Sequence, residues 1–133
     1  MSWSKKVHVT SSMNVRDNQY AMFVGRWQPL HKGHQELFEQ ALNKGKNILI
    51  CIRNIEPDDR NPFTAKQVKD TIENHYAIFV EQHIVKVIII PDISSIEFGR
   101  GVGYDVIEHI PPTEIGDISG TKVREQLKKE GKL

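Results

Sequence analysis

The sequence predicts a single α/β domain built on a doubly wound parallel sheet, and three observations point there. Strand-like apolar runs alternate with helix-like segments from residue 21 onward. The strand-like runs are continuously apolar instead of alternating, the mark of strands covered on both faces. Nearly every unusual polar cluster falls in the loops that follow those runs, at 26–34, 53–63, 91–103 and 111–121. In open parallel sheets ligands bind beyond the carboxyl ends of the strands, at the switch point of the winding, which makes this rim the expected site of a Rossmann-like domain.

The elements follow in order. Residues 1–20 are polar and without helical period, and read as an N-terminal leader, either disordered or adding a strand, ahead of a domain over 21–133. Ala21–Gly25 is a short apolar strand. From about Gly33 to Lys44 a helix sets Leu37, Phe38, Ala41 and Leu42 on one face, with Gly45 as its C-terminal cap. Asn47–Arg53 is a second buried strand. Thr64 with Gln67 makes a capping box, and Phe63 with Val68 has the spacing of a hydrophobic staple. Val68, Ile72, Tyr76 and Phe79 continue that helix along one face. Ile84–Ile90 is a third strand, rich in β-branched residues and closed by Pro91. Tyr104–Ile110 has the composition of a fourth strand. A last helix starts near Ser119 and ends by Gly131.

Bulk properties bound the function. The chain has 133 residues, 38% hydrophobic and 26% charged, ordinary values for one globular domain. A net charge of +1 supplies no global field to recruit nucleic acid or an acidic membrane, so any anion must be held locally. No apolar run reaches the roughly 18 residues of a membrane span, and the N-terminus lacks a signal-peptide pattern. The single cysteine, Cys51, excludes an internal disulfide and suits a reducing cytoplasm. A homo-oligomer is compatible with this composition, which does not set the oligomeric state.

Two segments carry chemistry. In Gly25-Arg26-Trp27-Gln28-Pro29-Leu30-His31-Lys32-Gly33-His34 a buried strand runs into a helix start, where exposed N–H groups and the macrodipole favour an anion. Gly33 allows close approach of backbone to phosphate, and His31 and His34 can donate hydrogen bonds to phosphate oxygens. An imidazole there resists protonation until a phosphate arrives, which couples imidazolium charge to binding. The pair could instead bind zinc, although a third and fourth ligand are not evident. In Ile118-Ser119-Gly120-Thr121-Lys122-Val123-Arg124, Ser119 can cap the last helix and Gly120 again permits close approach. Lys122 and Arg124 put cations beside the positive end of a helix, an unfavourable arrangement that a bound polyphosphate would explain.

Together these segments resemble the nucleotidyltransferase superfamily, which carries a His-x-Gly-His motif after its first strand and an Ile-Ser-Ser-Thr-x-x-Arg-type motif before its last helix. The segment from Gly25 to His34 is similar to archaeal-type nicotinamide mononucleotide adenylyltransferases, where phenylalanine usually stands in place of Trp27, and Asn61–Ala65 is similar to another segment of theirs. The resemblance covers roughly Ala21 to Gln126. It implies an acceptor phosphate attacking the α-phosphorus of a triphosphate, most simply ATP with CTP as the alternative, while Mg²⁺ accompanies the pyrophosphate. It also implies catalytic roles for His31, His34 and Arg124. Gly25, Arg26, Gln28, Gly33, Ser119, Gly120, Thr121 and Lys122 would line the nucleotide site.

The acceptor half departs from that pattern. An arginine usually found near Gln67 is missing, and both tryptophans, Trp3 and Trp27, lie early instead of late. Glu97–Tyr104 looks faintly like the glycine-arginine loop of sulfate adenylyltransferases, which would bring Arg100 over phosphate or ring. A small phosphorylated acceptor such as nicotinamide mononucleotide is therefore the expectation, beside a cytidylyltransferase or a non-catalytic nucleotide-binding module. All these readings require the two segments to meet at one mouth of the sheet.

Overall fold

A computed structural model describes residues 19–99, 101, 103, 105–109 and 120–131, with residues 120–122 described through their backbone alone. Three parallel strands, β1 (Tyr20–Gly25), β2 (Asn47–Asn54) and β3 (Val85–Pro91), form one sheet in the order β1-β2-β3. Helix α1 (Lys32–Leu42) joins β1 to β2. Helices α2 (Ala65–His75) and α3 (Ala77–Glu81) join β2 to β3, and α4 (Gly120–Lys129) lies near the C-terminus. The domain is α/β, parallel and Rossmann-like.

Sheet register explains where the core lies. Ala21 pairs with Ile48 and Phe23 with Ile50, while Ile48 pairs with Val85 and Ile50 with Val87. Side chains alternate faces along a strand, so all these residues share one face. That face meets Phe38, Ala41 and Leu42 of α1, Val68 and Ile72 of α2, Tyr76, and Phe79 and Val80 of α3 in one apolar cluster. The opposite face offers Met22, Leu49 and Ile88; Met22 is 57% and Ile88 41% exposed. Helices α1, α2 and α3 pack on the first face, while Cys51 on the second is buried as well.

Local signals account for the helix ends. Thr64 Oγ1 accepts from Gln67 N at 3.1 Å while Gln67 Oε1 accepts from Thr64 N at 2.8 Å, the reciprocal box expected of α2. Phe63 packs against the core, as a staple residue should. Tyr76, with φ −109 and ψ 28, breaks the continuous helix predicted through Phe79 into α2 and α3, yet both pieces stay on the core face. Helix α1 begins at Lys32, not Gly33, because His31 in extended conformation is its N-cap, and its C-cap is Asn43. Gly45, predicted as that cap, turns the chain two residues later at φ +76. Strand β1 starts one residue early and takes Tyr20 from the leader, its hydroxyl donating to His83 O at 2.9 Å. Pro91 is the last residue of β3, where a missing N–H costs little because the strand is an edge.

The expected fourth strand does not form over Asp105–His109, which is irregular. His109 instead stacks on Phe23, ring centroids 5.8 Å apart, and its Nδ1 lies 2.7 Å from Gln40 Oε1. Val106 and Ile107, the apolar residues of this stretch, remain exposed.

Candidate active site

At the carboxyl rim of the strands a cavity of about 810 Å³ is lined by residues from both predicted segments, among them Gly25, Arg26, Gln28, His34 and Arg124. Arg124, on α4, donates from Nη1 to the carbonyl of Gln28 at 2.6 Å, although 96 positions separate them. The histidine loop and the last helix therefore meet at one mouth, as required.

The histidines are held by an unusual capping box. His31 Nδ1 accepts from Gly33 N at 3.1 Å and from His34 N at 3.4 Å; His34 Nδ1 accepts from His31 N at 3.2 Å. The two rings stack with centroids 3.6 Å apart. A nitrogen that accepts an N–H carries no proton, so each neutral ring has its proton on Nε2. Both imidazoles are thereby set as Nε2–H donors. Burial lowers the His31 pKa, and burial with the charge of His31 lowers His34 to about 3. Protonating either Nδ1 would also break its cap bond. These lowered values accord with the resistance to protonation expected of imidazoles at this helix start.

Trp27 organises the loop between strand and histidines. Its φ of +52 lies in the left-handed region, which costs a bulky residue roughly 1–2 kcal/mol and has to be offset by packing. Its indole N–H bonds Cys51 O at 3.1 Å, and its ring stands edge-on to His34 at 4.9 Å. A Cβ at Gly25 would lie 2.9 Å from that ring, so the glycine makes room for the indole. Gln28 is spent on structure as well. Its Nε2 donates to Phe63 O at 2.8 Å and its Oε1 accepts from Phe63 N at 2.9 Å, clamping the loop ahead of α2. Gln28 thus lines the cavity with its amide already engaged, and the Gly33 N–H is likewise taken by His31.

Arg100 and Ser119 lie outside the described residues, as do the side chains of Thr121 and Lys122; Gly120 opens α4. Sequence reasoning missed several cavity residues: Arg53, Asp59, Arg60, Asn61, Glu125 and Lys128. Arg53 was legible as a charge closing an apolar strand at the ligand rim, and Lys128 follows Arg124 by one helical turn. Asp58, an exposed loop residue, ties this rim together. Its Oδ1 accepts from Arg60 N and Asn61 N at 2.8 Å each and from Asn61 Nδ2 at 3.0 Å. Slight desolvation opposes ionisation, but those donors and the charge of Arg26 hold the carboxyl below its usual range. Around the cavity Arg26, Arg53, Arg60, Arg124 and Lys128 outnumber Asp59 and Glu125. His34 lines this electropositive cleft and His31 stacks on His34 from outside the lining, an arrangement that suits a polyanion.

Among the described residues no group of three His, Cys, Asp or Glu side chains could hold a metal, and no described helix is long and apolar enough to cross a membrane.

Comparison with known proteins agrees with this chemistry. Residues 22–78 match the family described as cytidylyltransferase-like. A nicotinamide-nucleotide adenylyltransferase of Thermoplasma acidophilum is 32% identical over 80 residues, 52% of this chain and 45% of that protein. One from Methanococcus maripaludis is 26% identical over 131 residues, covering 80% of this chain and 77% of the relative. Another, from Methanococcus aeolicus, is 29% identical over 115 residues, 84% and 63% of the two chains. The match thus spans about half the length of the Thermoplasma relative and more of the methanococcal ones. No solved structure matches significantly. Residues 22–78 thus resemble the cytidylyltransferase-like family, and the chain is similar to archaeal nicotinamide-nucleotide adenylyltransferases.

Proposed function

We propose that the chain transfers AMP from ATP to nicotinamide mononucleotide. The observation that carries this reading is the convergence of His34 and Arg124 on one cavity, with Arg124 2.6 Å from the Gln28 carbonyl. An oxygen of the acceptor phosphate attacks the α-phosphorus, the bond from that phosphorus to the α,β-bridging oxygen breaks, and pyrophosphate leaves with the electron pair. No side chain becomes covalently attached, so rate comes from placement and from charge stabilisation.

His31 and His34 donate from Nε2 to oxygens at the α- and β-phosphates, His34 strengthening its bond as charge builds on the transferring group. Arg124, Ser119 and Thr121 hold the β- and γ-phosphates, while Arg26, Lys122 and Arg100 add positive charge. Gly25 and Gln28 shape the wall, and Gly33 and Gly120 keep the helix starts accessible. Mg²⁺ bound with the triphosphate would supply positive charge at the leaving pyrophosphate. The carboxylates of Asp59 and Glu125 on the cavity wall are hard oxygen donors of the kind a largely hydrated Mg²⁺ accepts. A cytoplasmic location accords with such substrates.

The test is pyrophosphate release from ATP with nicotinamide mononucleotide, with CTP and a phosphorylated alcohol or sugar run beside it. The cytidylyltransferase-like match over residues 22–78 makes CTP the second reading. Release with CTP alone would replace ATP as donor, and tight triphosphate binding without release under any acceptor would mean a non-catalytic binding module.

A further inference from the structure

Arg53 has no role in the scheme above, yet it lies on the cavity wall. It follows Ile52, which pairs with Gly25, so it sits level with Arg26 and one strand away from the histidine loop. Adjacent strands are about 4.8 Å apart, so Arg53 reaches the same cavity that Arg26 and His34 line. An acceptor phosphate poised against an α-phosphate held at the histidines would fall near this neighbouring strand end.

The guanidinium is oriented from one edge. Nε donates to Asp92 Oδ1 at 2.8 Å, Nη2 lies 2.7 Å from the same oxygen, and Nη2 reaches Ile93 O at 3.4 Å. Among the described residues Nη1 has no hydrogen-bond partner. Stability alone explains the pair poorly: the side chains are 30% and 51% exposed, and ion pairs so wetted contribute about 0–1 kcal/mol. A guanidinium fixed along one edge with its other edge open is prepared to take a planar pair of oxygens. The reaction also needs a cation here, because two anionic phosphates repel as they approach.

We propose that Arg53, positioned by Asp92, binds the phosphate of the acceptor and makes the site select phosphorylated over dephosphorylated acceptors. The assignment rests on the transferase reading for its choice of probe, but its test does not depend on turnover. Calorimetry on protein loaded with a non-hydrolysable ATP analogue would compare nicotinamide mononucleotide with nicotinamide riboside, which lacks the phosphate. The expected result is a preference for the mononucleotide of at least about tenfold, the size of a charge-assisted hydrogen bond, falling to near parity in Arg53→Gln. Affinity for the ATP analogue should stay within about twofold. Arg53→Lys, which keeps the charge and loses the fork, should retain the fold and lower the preference severalfold. No preference in the wild type, or an unchanged preference in either variant, overturns the assignment. A wild type that prefers the mononucleotide but releases no pyrophosphate overturns the transferase reading and leaves Arg53 in place.

Discussion

Acidification should weaken this protein through His34 in particular. Its native pKa of about 3, against an ordinary 6.5, means that the unfolded chain gains a proton between those values that the native chain refuses. Stability is therefore fully present above about pH 6.5 and lost as the pH falls toward 3. With those two values, linkage gives a loss of about 1.3 kcal/mol between pH 7.5 and 5.5 from this residue alone. His31, whose pKa is also lowered by burial, adds in the same direction. The control is His34→Gln, since Gln67 already fills the equivalent capping position in α2 without titrating. Urea midpoints at the two pH values should show the wild type losing about 1.3 kcal/mol more than the variant. Nitrogen-detected NMR should keep His34 as the Nε2–H tautomer at pH 5. Parallel pH dependence in the two proteins, or a proton on Nδ1, would refute the neutral-donor geometry.

Three other outcomes follow from the same contacts. His34→Ala should lower pyrophosphate release by about a hundred- to thousandfold, the usual cost of one preorganised donor, while weakening the fold by about 1 kcal/mol for the lost cap; thermal melting and a rate assay separate the two, and a collapse of the melt would mark a packing residue. Gln28→Ala strands both polar groups of Phe63 and should destabilise by about 1–3 kcal/mol in urea titration, with an unchanged midpoint contradicting the clamp. Gly25→Ala presses a methyl group into the Trp27 ring at 2.9 Å, costing about 1–3 kcal/mol and shifting the indole fluorescence; a silent substitution would mean the ring moves freely.

What could be read from the sequence was what is decided locally. The start of helix α2 is set by Thr64 and Gln67 three residues apart, and β2 by an unbroken apolar run, so that start and both ends of β2 were placed within a residue. Helix α1 was started late because histidine is an uncommon N-cap, and only the reciprocal bond to His34 makes His31 one. The histidines and Arg124 were legible because a strand-to-helix turn and cations at a helix start each signal an anion. The engagement of Gln28 by Phe63, 35 positions away, and of Trp27 by Cys51, 24 away, depends on tertiary contact that no spacing encodes. Asp105–His109 misled because its adjacent β-branched Val106 and Ile107 satisfy strand propensity, while the structure uses His109 for stacking on Phe23.

The contact between Arg124 and Gln28 gives the empty cleft an occupant of its own. A main-chain oxygen already sits 2.6 Å from the guanidinium nitrogen. An incoming anion that takes this nitrogen must first dislodge that carbonyl. Measured affinity at this spot would then report a difference between two partners, smaller than the full strength of a new bond, and a guest that pulls Arg124 loose would also untie the C-terminal helix from the loop that carries the histidines.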